Sequence, residues 1–555
     1  MSNDGYYFLG GESAHRGFFG ARVPRERVIG ILVVVGIAMF LTPLLGWWVI
    51  AVALVLVAGI ILATIDTHRG SLLERRRRRQ RWKERRRAMT DRFVPYDADR
   101  WGLLTTALEQ TRKPASKAER RANQEARADW MRELAAMRAV PDGADGMAWL
   151  QAARGLPGIA WHGPVGEDSY LSVAFSLGGQ LRGLEAPEAV HAAAEGFARF
   201  LASRAPENSL LRQVQPLTRV LPADSALQEW WLMNNLDETA PPEAMRSYEE
   251  VLIETGRSAM VQRHYIVGRW PITPTFVATA ARYGEGRDGW RALMAAEIES
   301  VVEGLEAARM GPVEPLTARG TAAVIRHMQN PSRPVDYQAG LTPMDLGEAS
   351  HDEFSAHVVE GIDPETGQAV QWWHRTAAIR AENMAVAPRT PLWLVDALVG
   401  RELDVVRTVS FHVELVPAAE AKQAAKVDIV RDMADHLSET ANGKIGDDET
   451  SVRVTAAQRR RSDLAPGSHH HGVYWIGFVT VTASSREELA RATRRFAEVC
   501  ETNLGIERLD WLDSYQSSAS GSTWPIARGL APHKASFSAN AMNMLAGRGE
   551  KEAIS

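Results

Sequence analysis

Residues 28–65, VIGILVVVGIAMFLTPLLGWWVIAVALVLVAGIILATI, form a run of 38 positions without a charged side chain. No other stretch limits the architecture so strongly. As a single helix it would be about 57 Å long, nearly twice the hydrocarbon thickness of about 30 Å that one span crosses. Thr42-Pro43 and Gly46 interrupt helical hydrogen bonding in the middle, and Trp47-Trp48 suit an interface. The pattern predicts a transmembrane hairpin of two helices, over residues 28–41 and 47–65.

Both flanks are basic. Arg22, Arg25 and Arg27 precede the run, while Arg69, Arg75, Arg76, Arg77, Arg78, Arg79, Arg81, Lys83, Arg85, Arg86 and Arg87 follow it. An even number of crossings with positive charge at both ends predicts a multi-pass protein of the inner or plasma membrane, with its termini and bulk cytoplasmic. Residues 74–87 are too densely charged for a core and read as a solvated helix. The ten cations from Arg75 to Arg87 are candidate ligands for anionic lipid, at about 1 kcal/mol each near such a surface. Nucleic acid is the alternative partner, although Trp82 is the only interleaved aromatic. Residues 1–27 form an N-terminal segment, of which the Gly- and aromatic-rich lead, residues 1–21, is expected to lie along the membrane surface.

About 490 residues remain, enough for several domains. A net charge of −4 conceals a basic block balanced by an acidic remainder, and the lone Cys500 excludes an intrachain disulfide. Residues 66–140 read as a basic juxtamembrane helix and a stalk, ended by the turn Val140-Pro141-Asp142-Gly143. Two cytoplasmic α+β domains with antiparallel or mixed sheets follow, over 141–335 and 336–535, and then a tail, 536–555. In the first, strands are expected at 169–176, 211–221, 260–270 and 313–316, with helices at 187–201, 225–235, 242–258, 290–310 and 317–328. In the second, a hairpin turns at 363–367, strands cover 405–415, 472–482 and 506–512, and helices cover 418–437, 451–464 and 486–500. The alternation predicts sheets covered by helices on one face.

Motifs for chemistry are few. Gly284, Gly286 and Gly289, with Glu314 downstream, match the spacing of a dinucleotide loop, but the segment before them reads as helix and Glu285 would face a pyrophosphate. An ordinary connection between helices is the simpler reading. Neighbouring residues splay apart, so His469-His470-His471 reads as a loop rather than a metal site. Trp230-Trp231 and Trp372-Trp373 read as half-buried packing. The sequence has no G-x-x-x-x-G-K-[ST] loop, since its only Gly-Lys pair, Gly443-Lys444, is followed by Ile445. It also has no G-x-S-x-G and no H-E-x-x-H. No enzymatic activity, cofactor or metal is expected.

Residues 260–272 (MVQRHYIVGRWPI), the helix and strand after them, and RHMQNPSRP at 326–334 resemble the N-terminal, non-ATPase region of the VirB/TrbE/CagE ATPases of type IV secretion and conjugation. Residues 477–500 and 507–530 are similar to the stretch that leads into the nucleotide-binding domain of those proteins, including Gln516 and the ending Pro525, Arg528, Gly529, Leu530. The hairpin resembles a VirB/PrgI-like membrane subunit. The likeness covers about residues 145–535. It implies a non-catalytic inner-membrane scaffold, lacking the motor and part of an oligomeric assembly, that docks a separate Walker-type ATPase and other channel proteins. Gln516, Trp524, Pro525, Arg528, Gly529 and Leu530 would then be partner-binding candidates. Two other readings are a membrane-tethered enzyme with an unrecognised site and a membrane-anchored nucleic-acid-binding adaptor.

Overall fold

The computed structural model describes residues 7–9, 25–64, 71–111, 117–164, 168–179, 186–222, 234–235, 239–258, 260–335, 340–364, 366–385, 387–389, 393–399, 403, 405–422 and 471–529. The chain divides into two units, residues 12–81 with 529–555, and residues 1–11 with 82–528. The expected segments at 225–233, 423–437, 451–464 and 536–555 lie outside the described residues, as do Trp230, Trp231, Gly443, Lys444, His469, His470 and Leu530.

In the smaller unit the apolar run does fold back on itself. Helix α1 (Arg25–Leu45) runs through Pro43 and ends at Gly46, whose φ of +81° makes the turn into α2 (Trp48–Thr64). Pro43 sits in the last turn and leaves only one carbonyl without its helical donor, so the helix continues past it. The Thr42 hydroxyl donates to Ala38 O at 2.6 Å. Among the described residues no helix is long and apolar enough to cross a membrane. The 17 residues of α2 span about 26 Å, and α1 spends its first turn on Arg25, Glu26 and Arg27. This overturns the transmembrane hairpin, and with it the multi-pass membrane placement and the topology argued from the basic flanks. Helix α3 (Leu72–Arg87) carries the arginine block and enters the larger unit at Trp82.

The larger unit is built on a mixed sheet. Its opening strand β1 (Tyr7–Leu9) is separate, pairing with β13 (Ala387–Arg389). Then come β2 (Arg92–Pro95), α4 (Ala98–Gln110), α5 (Lys117–Ala136), β3 (Met137–Arg138), β4 (Met147–Gln151), β5 (Ile159–His162), β6 (Tyr170–Leu177), α6 (Pro187–Arg204), β7 (Gln213–Pro222), α7 (Pro242–Ser258) and β8 (Met260–Pro271). Next are α8 (Pro274–Ala280), α9 (Gly286–Ala307), β9 (Val313–Pro315), α10 (Ala318–Gln329), β10 (Ser350–Glu353), β11 (Ala356–Ile362) and β12 (Ala369–Ile379). After β13 the chain forms α11 (Val395–Val399), β14 (Val406–Val416), β15 (Gly472–Ala483), α12 (Arg486–Thr502), β16 (Asp510–Trp511) and α13 (Gln516–Ser520).

The sheet has 14 strands in the order β3-β2-β10-β11-β12-β15-β14-β7-β8-β6-β5-β4, with β16 added on β12 and β9 on β6. The antiparallel pair β7–β14 joins what the sequence pattern divides near residue 335 into two domains. From that pair outward the halves are alike. One runs β7-β8-β6-β5-β4 and the other β14-β15-β12-β11-β10. Counted by chain order within its half, each reads fourth, fifth, third, second, first. The short strands β9 and β16 also pair with the third strand of their respective halves.

Strand alternation gives the sheet two different faces. Val173, Phe175, Val214, Ile266, Val409, Val479 and Val481 face the side covered by α6, α9, α11 and α12, where the two large apolar clusters lie. The opposite side is covered as well, by α10 with Leu217, Tyr265, Trp524 and Ile526, so the expectation of a sheet covered on one face does not hold. The residues that β7, β12, β14 and β15 turn to this second face are largely polar.

Candidate functional site: a buried polar seam

The centre of the second face is roofed by residues 512–528, which leave β16, form α13 and a short 3-10 helix (Gly521–Thr523), and lie across the strands. Gln215 of β7 holds this roof most tightly. Its Nε2 donates to Ser410 Oγ at 2.8 Å and Trp524 O at 3.0 Å, and its Oε1 accepts the Ala527 amide at 2.8 Å. His412 of β14 hydrogen-bonds Ser522 O through Nε2 at 2.8 Å and Gln213 through Nδ1 at 2.9 Å. On the other side Gln516 accepts the Thr376 amide at 2.7 Å and donates to the Thr376 carbonyl at 3.2 Å, replacing a strand neighbour where β16 ends. Thr376, Thr480 and Thr523 continue the seam through contacts of 2.8 and 2.7 Å.

At the edge of the roof Ser517 stands between two carboxylates. Its Oγ lies 2.7 Å from Asp142 and 2.8 Å from Asp352, and its amide donates to Asp352 at 2.7 Å. Arg85 pairs with both carboxylates, at 3.1 and 2.9 Å. Burial pushes the Asp352 carboxyl up to about 7, against the pull of Arg85. One hydroxyl hydrogen cannot serve two carboxylates, and a proton on Asp352 supplies the missing link.

The buried histidines are held neutral. Burial lowers His162 to about 3, and His357 and His412 to about 4. His374 is also driven well below its ordinary value, first by burial and then by His357 and Arg219. Three of them contact serine hydroxyls, His162 with Ser172 at 2.8 Å, His357 with Ser520 at 3.3 Å and His412 with Ser410 at 3.4 Å. Each pair resembles a base with a nucleophile. Ser520, however, donates to Gln516 O, and the cavity beside His357 offers only about 10 Å³ to water-sized occupants. That is room for about one water and not for an organic substrate.

The residues singled out by sequence are scattered. Arg76, Arg77, Arg79, Arg81, Lys83, Arg86 and Arg87 are exposed on α3, Arg75 and Arg78 are half-buried, and Arg85 turns into the carboxylate pair. Trp82 packs edge-on against Phe354, at 6.3 Å between ring centroids, so it is engaged within the fold. Gln516, Trp524 and Pro525 are buried within the roof. Arg528 is half-buried, donating to Asp145 O at 2.9 Å, and Gly529 is exposed. The Gly284–Gly286–Gly289 loop joins α8 to α9, and a Cβ on Gly289 would meet Gly284 O at 2.2 Å, so close helix packing accounts for that glycine. His471 accepts the Ala418 amide at 3.1 Å. Trp372 donates to Ser332 Oγ at 3.2 Å, and Trp373 packs on the apolar core. Among the described residues no cluster of His, Cys, Asp and Glu could hold a metal ion.

The sequence pattern does not single out the seam. Gln213, Gln215 and Arg219 alternate with apolar residues along β7, as Thr408, Ser410 and His412 do along β14, which reads as an ordinary solvent-facing edge of each strand. No family model matches the chain, and no curated protein matches it.

Proposed function

We propose that the chain is a non-catalytic scaffold that holds a separate nucleotide-hydrolysing partner, as its resemblance to the non-ATPase region of the VirB/TrbE/CagE proteins implies. The observation that supports this reading is the roof. The segment that in those ATPases leads into the motor is here hydrogen-bonded across both halves of the sheet, through Gln215, His412 and Gln516. A rigid anchor of this kind suits a part that bears load. His357 and His412 are engaged with Ser520 and Ser522 of the roof, which supports a structural role for them. With no phosphate-cradling loop in this sequence, hydrolysis by that route falls to the partner.

The test is co-purification of the tagged full chain with a Walker-containing ATPase encoded beside its gene, together with a nucleotide hydrolysis assay on the full chain alone. Retention of the ATPase, and loss of retention when Arg528 and Gly529 are substituted, would support the scaffold. Stoichiometric turnover of ATP by the isolated chain would sink it.

A further inference from the structure

The seam contains one buried cation with too few partners. Arg219, on β7, is 1% exposed and donates through Nη1 to Thr408 Oγ1 at 2.8 Å. Its Nε and Nη2 have no hydrogen-bond partner among the described residues. Arg407, equally buried on the apolar face, shows how this fold treats a guanidinium it means to satisfy, with donations to the carbonyls of Ala397, Leu398, Leu403 and Val405. Arg219 has no such set, and among the described residues no carboxylate pairs with it. Burying an unpaired charge is costly, and so is stranding its donors.

The donors border the cavity of about 10 Å³ described above, which Thr408 and His357 also line. Thr408 accepts from Arg219, which leaves its own hydroxyl hydrogen to point elsewhere. His357 Nε2 has no partner either. We propose that this cavity is a binding site for a single monoatomic halide, with chloride the natural occupant, held by Arg219 and the Thr408 hydroxyl. The charge compensates the guanidinium, and the size of the cavity excludes sulfate and phosphate.

The geometry also links a proton to the anion. Ser520 gives its hydrogen to Gln516 O, so His357 Nδ1 must donate to Ser520, and the Nε2 of a neutral ring then presents a lone pair to the cavity. An anion there needs a hydrogen on Nε2, and halide binding therefore brings a proton to His357. The groups around His357 are His374, with ring centroids 5.8 Å apart, Ser520, His351, and the Asp142 and Arg85 pair.

The decisive experiment is a crystal of the full chain soaked in bromide, read by anomalous scattering. An anomalous peak in contact with Arg219 is expected. Alongside it, the melting temperature of the wild-type chain should rise with the logarithm of bromide concentration at constant ionic strength, and sulfate should give no such rise. Bromide binding should tighten as pH falls through neutrality toward about 4, where the anion-free His357 takes up its own proton. Arg219→Met should abolish the bromide dependence. A water peak with no anomalous signal, together with a bromide-independent melting temperature in the wild type, would overturn the site without recourse to any variant. Bromide bound with pH-independent affinity would overturn the proton linkage.

Discussion

The Ala527 amide hydrogen ends on Gln215 Oε1, 312 positions earlier in the chain and 2.8 Å away. Ala527 pays for that contact with a φ of +52°, a left-handed conformation that costs a non-glycine residue roughly 1 kcal/mol. The roof is thus pinned at a strained residue by one side chain.

Gln215→Ala should destabilise the chain by about 3 kcal/mol, because it leaves a buried amide and carbonyls without partners. Ala527→Gly removes the strain and should be neutral or stabilise by up to about 1 kcal/mol. Urea unfolding of the two variants checks both signs, and equal losses in the two would contradict the assignment.

Gly521 and Gly143 bring two backbone segments together. A Cβ on Gly521 would lie 2.1 Å from Gly143 O, where there is no flexible side chain to move. Gly521→Ala should therefore cost about 3 kcal/mol and displace Asp142 from Arg85 and Ser517. Denaturant midpoints, with exchange protection of the Ser517 amide, report the two effects separately.

The stability of the fold should depend steeply on pH. His162, His357, His374 and His412 are depressed in the folded chain, so unfolding takes up protons below their ordinary 6.5. Their contribution is present above about pH 6.5 and is lost as pH falls toward about 4. Asp352, raised to about 7, acts in the opposite sense, since its folded form holds a proton that the unfolded form releases above about 4. The four histidines outweigh it. Urea midpoints should fall as pH drops from about 6.5 to about 4.5, and Asp352→Asn should steepen that fall by about 1.4 kcal/mol per pH unit. A shallower slope in this variant would count against the buried, protonated Asp352.

Cys500 faces the apolar cluster under α12, where burial pushes its thiol up to about 12. The native chain should react with a thiol reagent at well under a tenth of the rate of the denatured chain at neutral pH. Comparable rates would show that α12 opens readily from the sheet.

The periodicities that come from burial on one side are readable in the sequence. Helices α9 and α12 and strands β6, β8 and β15 fall close to where apolar spacing puts them. Strand β16 shrinks to Asp510–Trp511 because the chain turns off β12 into the roof, where Gln516 takes over the pairing through its side chain. That substitution leaves no period in the sequence. The hairpin's fold-back is legible at Gly46, but its helices fall short of the span that total apolar length suggests, since the turn divides the run and the first turn of α1 is charged. The seam was hidden for another reason. A buried Arg219 and a solvated arginine occupy the same phase of a strand, and only the roof arriving from some 300 residues away distinguishes them.

The matching strand orders on either side of the β7–β14 pair make the larger unit a dimer written as one polypeptide. Its inner strands meet antiparallel along ten-residue β7 and eleven-residue β14, as two copies would across a twofold axis. Split between α10 and β10, each piece would carry a long raw edge with half of the polar seam exposed, the kind of edge that recruits whatever strand it meets. Fusion removes that hazard by making the correct neighbour permanently local. It also frees the two halves to diverge, so that one could supply Gln215 and Arg219 and the other the roof that needs them.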